Sequence, residues 1–400
     1  MNEKERIAWV ELALTPYIGA ETFLQLFRYF GSASEVFNAS ASEIRPLLKR
    51  KSAFEHWQRR SGKQAAEAAF EWENQHKNAR LLLLSDHDFP VLLSEGITPP
   101  PLLFVRGQVQ LLNQPALAIV GSRHATPHAM RIAKDFAAAL AEHGNVIISG
   151  MAEGIDTAAH QGALQAQGAT VAIWGTGIDR VYPACNKNLA MQIAEQGCII
   201  SEFPLTTRPL ANHFPRRNRL IAALSQGTLV VEAALASGSL ITARLAAEMG
   251  REVFAIPGSI DNPMVKGCHQ LIRQGAKLVE NVQDIYQENT TLLQNTISQS
   301  YRATKSADLY TEKYFSEYKS HTDPILNTSE PLSSQCPALA SLTSDQQTVL
   351  DTIGYGIMHP DTISELLSMV PTDVYAHLMV LELEEWITIL PGGCYQRIKS

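Results

Sequence analysis

From Ala116 to Tyr286 the chain repeats one pattern: a short apolar run, a turn rich in Gly, Ser or Pro, then an amphipathic helix. The runs are ALAIV (116–120), NVIIS (145–149), TVAIW (170–174), CIIS (198–201), TLVVE (228–232), EVFAI (252–256) and a short KLV (277–279). A strand buried on one face alternates apolar with polar residues. A near-continuous apolar strand must be buried on both faces, as in a parallel sheet. Segments such as HAMRIAKDFAAALAEHG and SLITARLAAEMG supply the covering helices, and each ends in a glycine suited to a C-cap. The pattern predicts an α/β fold: a Rossmann-like, doubly wound, mostly parallel sheet over residues 81–286, with a short extension leading into it.

The flanks are different. Residues 1–80 read as a helical domain, with helical spacing in IAWVELAL, in TFLQLFRYF and in a third segment through FEHWQRR and KQAAEAAFEWENQ. The segment 14–32 is similar to a helix-hairpin-helix, in which two glycine amides grip a phosphate. Tyr17 stands where the first glycine would be and only Gly19 remains, so a phosphate contact and a purely structural role both stay open. Prolines 99 to 101 then exclude a helix or a central strand. Residues 287–340 are polar and lack periodicity, which predicts a flexible linker. Over 341–400, three helical segments precede two short strands around Pro391, Gly392 and Gly393, a winged-helix pattern.

Composition narrows the function. No apolar run approaches the ~20 residues that span a bilayer, and the N-terminus lacks the features of a signal peptide. Five scattered cysteines suggest neither a zinc site nor a redox pair, and fit reduced thiols in a cytoplasmic protein. The net charge of −7 is concentrated at the C-terminal end, where residues 341–400 hold two basic and eight acidic residues. The middle of the chain is close to neutral, which leaves room for a local basic patch.

In open α/β sheets ligands bind at the carboxyl ends of the strands. Here those ends carry Gly- or Ser-bearing loops. The first has Gly121 for a tight turn, then Ser122 and Arg123, whose amides and guanidinium suit an anion. The second contains Gly150 and Gly154. The third contains Gly175, Gly177 and Arg180, with Tyr182 and Lys187 as further stacking and phosphate contacts. The densest basic feature is NHFPRRNRLIAALS (212–225), where Pro215 can sit in the first turn of a helix. Arg216, Arg217 and Arg219 then lie near its N-terminus, where cations favour a bound anion, and Phe214 offers a face for a base. Asn218 belongs to the same block. Glu232 and the Ser237, Gly238, Ser239 segment can bond sugar or base edges or can cap the helix beginning near Ser239; both readings stand. There is no GxxxxGK[ST], GxSxG or HExxH, and Arg180 occupies the third glycine position of a dinucleotide fingerprint. The sequence therefore offers no catalytic constellation, no metal site and no cofactor site.

The blocks GSR (121–123), SGMAEGIDTAAH (149–160), SEFP through NHFPRRNRLIAALS (201–225), VVEAALASGSLITARLAAEMGREVFAIPG (230–258) and HQLIRQGAKLV (269–279) together resemble the DNA-processing protein A family, also called DprA or Smf. That resemblance implies binding of single-stranded DNA by the Rossmann-like core and homodimerisation through it. It also implies protection of incoming DNA and loading of the RecA recombinase during natural transformation, by a binding protein and not an enzyme. It places DNA contacts at Arg123, at Phe214 to Arg219 and at Ser237 to Ser239. Many relatives carry a basic residue after the Tyr-Pro of the third loop; here Ala184 and Cys185 follow, and Lys187 is the substitute. The alternative is a nucleotide-processing hydrolase on a related core, for which Glu232 is the only plausible acid. The acidic winged helix is expected to contact protein instead of DNA.

Overall fold

The computed structural model describes residues 1–289, Leu292 and, with short gaps, 344–397. The stretch expected as a linker lies outside the described residues beyond Asn289, apart from Leu292. The chain divides into two units, Met1–Asp323 and Pro324–Ser400.

The first unit is built on one nine-stranded sheet. Its strands are β1 (Ala79–Leu83), β2 (Leu102–Gly107), β3 (Ala116–Gly121), β4 (Val146–Ser149), β5 (Thr170–Ile173), β6 (Cys198–Ser201), β7 (Gly227–Val231), β8 (Glu252–Ala255) and β9 (Lys277–Leu278). Their order is β1-β2-β6-β5-β4-β3-β7-β8-β9. Successive strands step one way from β3 to β6 and the other way from β7 to β9, so the switch point falls between β3 and β7, which pair in parallel. The doubly wound, mostly parallel sheet expected from the apolar runs is present.

Burial follows the pleat. Along β3, Leu117 and Ile119 join an apolar cluster on one face, while Ala116, Ala118 and Val120 join the other. The first face is covered by α7 (Pro127–Glu142) and α8 (Ile155–Gln165). The other carries α9 (Lys187–Gln196), α10 (His213–Ala223) and α11 (Ser239–Glu248). At the end of α7, His143 Nδ1 lies 2.7 Å from the Ala139 carbonyl, a helix-end role.

Two strands escaped the sequence reading. β2 follows directly on the proline cluster and pairs antiparallel with β6, and β1 pairs antiparallel with β2. The prolines do not interrupt the sheet because they sit just before β2. Six short helices fill residues 3–75, and the segment read as one helix across Arg59 is two, Lys51–Gln58 and Lys63–Gln75. Arg60 has φ +51 and a Cβ on Gly62 would come within 2.2 Å of the Glu11 carbonyl, so the chain turns sharply there. These helices pack on the sheet: Trp9 Nε1 donates to the Pro101 carbonyl at 2.8 Å, and one apolar cluster runs from Ala8 to Leu271.

The second unit is a small winged-helix domain. Helices at Ser344–Ile353 and Pro360–Leu367 and helical residues among 373–381 bury Val349, Leu350, Ile363, Val374, Leu378 and Leu381. The expected hairpin pairs Ile387–Leu390 with Cys394–Arg397, and Ile357–Met358 adds a short third strand.

Candidate nucleic-acid interface

The loop after β3 is held from two sides. The Ser122 amide donates to the Glu232 carbonyl at the end of β7 (2.8 Å), and the Ser122 carbonyl accepts from Ile155 at the start of α8 (3.1 Å). Gly121 has to be glycine, since a Cβ there would lie 1.9 Å from the Val231 carbonyl. Gly154 has φ +76, and its Cβ would meet the Ser122 carbonyl at 2.3 Å. With the backbone pinned and Ser122 buried, Arg123 projects into solvent.

Arg123 lies over the ring of Phe214, 5.2 Å from its centroid. Among the described residues no carboxylate pairs with it. Phe214 comes from the first turn of α10 and rests on the third loop, where a Cβ on Gly175 would be 3.0 Å from the ring. Tyr182 packs beside Phe214 at 5.6 Å between centroids and remains 44% exposed. A free guanidinium and two aromatic faces therefore meet near the β3–β7 switch point. Arg180 and Lys187 are exposed on the same third loop and the start of α9, and neither forms an ion pair among the described residues. Gly177 lies against Asp179, whose carboxylate accepts from the Thr206 amide at 2.9 Å.

The arginines of α10 divide. Arg217 was expected at the surface facing an anion; it is 4% exposed and points beneath the loops. Its Nη1 donates to the carbonyls of Gly150 (2.6 Å) and Ile173, tying the second loop to the end of β5. A Cβ on Gly150 would collide with this guanidinium at 2.6 Å, so Gly150 makes room for Arg217 and not for a ligand. Asp156, also buried, neighbours Arg217 and accepts from the amides of Gly150 and Ala152 at 3.1 and 3.2 Å. Burial pulls Arg217 down to about 10, against the attraction of Asp156, so it stays charged at neutral pH. Burial also raises Asp156 in spite of Arg217. Four residues on, His160 is buried with its Nδ1 2.7 Å from Thr170 Oγ1. That hydroxyl is already donating to the Ile147 carbonyl, so Nδ1 of the imidazole is the donor to it. Burial, with Arg217 close by, pushes His160 down to about 3.

Arg216 and Arg219 are also less free than their sequence suggests. Both pair with Glu202, whose side chain is almost fully buried; the Arg216 contact is 3.2 Å. Arg219 further donates to the Thr98 carbonyl at 3.0 Å. Arg216 keeps 55% of its side chain exposed and remains available to a ligand.

Glu232 serves neither reading left open for it. Both its oxygens hold Thr126, through the amide (2.9 Å) and the hydroxyl (2.6 Å), and Thr126 in turn caps α7. It braces a different helix from the one anticipated. Ser237 precedes the N-cap Gly238 of α11, and its Oγ accepts from the Ser239 amide at 3.3 Å and lies 2.6 Å from Ser239 Oγ. Gly238 is exposed between them, and Asn218 Nδ2 reaches its carbonyl at 3.4 Å.

Sequence reasoning missed Glu202 and Asp156. Glu202 is a lone acid at an otherwise apolar strand end, a signal that could have marked it as an internal partner for cations; Asp156 shares its segment with Glu153, and no such signal sets it apart.

The sheet order and the cationic, aromatic strand edge define a Rossmann-like ligand-binding protein with an appended winged helix. Residues 80–290 match the family described as DNA recombination-mediator protein A, and 333–393 match the DprA winged helix domain. The chain is 33% identical over 399 residues to Protein Smf of Escherichia coli, covering 98% of this chain and 95% of that one. It is 47% identical over 203 residues to DNA processing protein DprA of Streptococcus pneumoniae, covering 51% of this chain and 72% of the relative. The X-ray structure of DNA processing protein A from Streptococcus pneumoniae superposes with a TM-score of 0.62 at 36% identity, over 72% of this chain and 98% of that chain. The chain belongs to the DNA recombination-mediator protein A family.

Proposed function

We propose that this protein binds single-stranded DNA, without base preference, along the carboxyl edge of its parallel sheet. The observation that carries the reading is the Arg123–Phe214–Tyr182 cluster, in which an unpaired guanidinium and an exposed aromatic edge stand together. Arg123 and the amides of the Gly121–Ser122 turn take phosphates, as do Arg180, Lys187 and the exposed side of Arg216; Tyr182 and Phe214 receive bases. The Ser237–Gly238–Ser239 turn and Asn218 border the groove. Gly154, Gly175 and Gly177 let its walls approach, while Gly150, Arg217, Arg219 and Glu232 hold it from within. The groove is a binding surface and not a catalytic centre. Family membership supports the wider role: a cytoplasmic homodimer that protects incoming DNA and loads RecA recombinase onto it during natural transformation.

Filter binding of labelled dT oligomers and of duplex over a salt series tests the core reading. Single strands should be preferred, with little dependence on sequence. A preference for duplex or a strong consensus site would overturn it.

A further inference from the structure

The helical domain at the start of the chain segregates its charge. Residues 45–63 carry seven Lys and Arg against one Glu, whereas the rest of 1–80 carries five against nine. Folding neutralises little of this excess. Arg60 pairs with the buried Glu11 at 2.7 Å and lies over Phe37. Lys51 and Lys63 meet Glu55 and Glu67 only at 3.8 and 3.9 Å. Arg45, Lys49, Arg50 and Arg59 are exposed, and among the described residues no carboxylate lies within 4.0 Å of them.

These cations gather around one helix: Lys49 and Arg50 immediately precede Lys51–Gln58, and Arg59 directly follows it. In the helix Lys51–Gln58, Ala53 and Trp57 turn inward one helical turn apart, which sends Lys51 and Arg59 outward at its two ends. Arg45 lies over the Phe54 ring at 5.8 Å, which brings the preceding turn against the same helix. Unpaired like charges cost self-repulsion in the folded state. Solubility needs charge that is dispersed, not gathered.

The surface also lacks what other partners require. No large apolar side chain of residues 45–63 is strongly exposed; Leu48, Ala53 and Trp57 are all buried. Protein interfaces centre on an apolar core, and a helix lying on a membrane needs an exposed apolar face. A sugar–phosphate backbone asks only for cations along its path. We propose that Arg45, Lys49, Arg50 and Arg59 form a second DNA-binding surface, which takes the backbone of a strand too long for the core groove. The proposal shares with the preceding reading only the premise that single-stranded DNA is the ligand; its residues are separate.

The test compares the full-length parent with the quadruple variant Arg45→Gln, Lys49→Gln, Arg50→Gln, Arg59→Gln, on a short dT oligomer of about 10 nucleotides and on one several times longer. All four positions are exposed, so thermal unfolding should match the parent. Affinity for the long oligomer should fall about 10-fold or more, and its salt slope by up to ~3, at ~0.7 per lost contact. Affinity for the short oligomer should not change. A second variant, Arg45→Lys, Arg50→Lys, Arg59→Lys, should bind the long oligomer like the parent, because charge alone is needed. Parental binding of the long oligomer by the quadruple variant would overturn the proposal and leave the core reading intact. Equal losses on both oligomers would also overturn it, by making these cations part of the core groove. Failure of the parent to bind either oligomer would sink the core reading itself.

Discussion

The loop Gly121–Thr126 and the start of α10 both bring arginine to the strand edge, and they use it in opposite ways. Arg123 has no acidic partner among the described residues and faces solvent over an aromatic ring. Arg217 lies near the same ring, 6.0 Å from its centroid, but is buried on two carbonyls beside Asp156, and Arg216 and Arg219 share Glu202. A count of cations treats these residues alike. What separates them is whether the charge is already matched inside the fold, since only unmatched charge is available to a phosphate.

Removing the buried charge should have the largest effect. Arg217→Met leaves Asp156 without its partner and the Gly150 and Ile173 carbonyls without a donor. Breaking a buried pair in this way costs about 3–5 kcal/mol. Urea unfolding should show that loss at pH 7, together with loss of DNA binding. A variant of parental stability whose salt slope is lower by ~0.7 would instead make Arg217 a direct phosphate contact, and the comparison would fail.

His160 sharpens the same contrast through pH. Its folded value near 3 lies below the ordinary 6.5, so the unfolded chain binds the extra proton between those values. Its contribution to stability is therefore complete above pH 6.5 and is lost as pH falls toward 3. From pH 7 to pH 5 the loss is about 2 kcal/mol. Asp156, raised by burial, works in the opposite sense above 3.8, favouring the fold as pH drops. Comparing the parent with His160→Gln at both pH values cancels the Asp156 contribution. The parent should lose about 2 kcal/mol more than the variant; equal losses would mean that His160 is not held neutral.

At the surface the effects should fall on binding and leave stability unchanged. Arg123→Ala should weaken dT binding about 10-fold and lower the salt slope by ~0.7. Arg216→Ala should cost about 3-fold, because Glu202 already matches part of its charge. The reverse order would mean that α10, and not the first loop, supplies the principal contact.

The parallel sheet was legible because burial on both faces writes a continuous apolar run at every strand. β1 and β2 carry the same signal in the buried runs Leu81–Leu84 and Leu102–Val105, but the prolines before β2 read as an interruption and masked it. The loops of the site were legible as glycine, arginine and aromatic residues at strand ends. Their division of labour was not. Arg216, Arg217 and Arg219 are near neighbours in sequence, and only the direction of each side chain from α10 decides which meets Gly150, which meets Glu202 and which reaches Thr98. Glu232 was equally opaque: its partner Thr126 is 106 residues away.

The smallest effect should come from deleting the winged helix. The segment expected from sequence as its third helix, residues 372–386, has no Lys or Arg and holds Asp373, Glu382, Glu384 and Glu385, the last three outside the described residues. A helix entering the major groove meets dense phosphate charge, which these acids would repel. Arg397 and Lys399 are the domain's only cations, and Arg397 already lies 3.5 Å from Asp351 with 11% of its side chain exposed. Such a domain is suited to a protein contact, with a partner subunit or another factor. The cut belongs after Gln294 and not at Glu288, because Asn289 Nδ2 donates to the Gln226 carbonyl at 3.1 Å and Leu292 is fully buried in the core. The shortened protein should keep its dT affinity within about 2-fold at moderate salt, since no phosphate contact is removed. If an isolated 341–400 fragment bound DNA as tightly as the whole chain, the acidic segment would not be repelling phosphate, and the assignment of DNA to the first unit would fall with it.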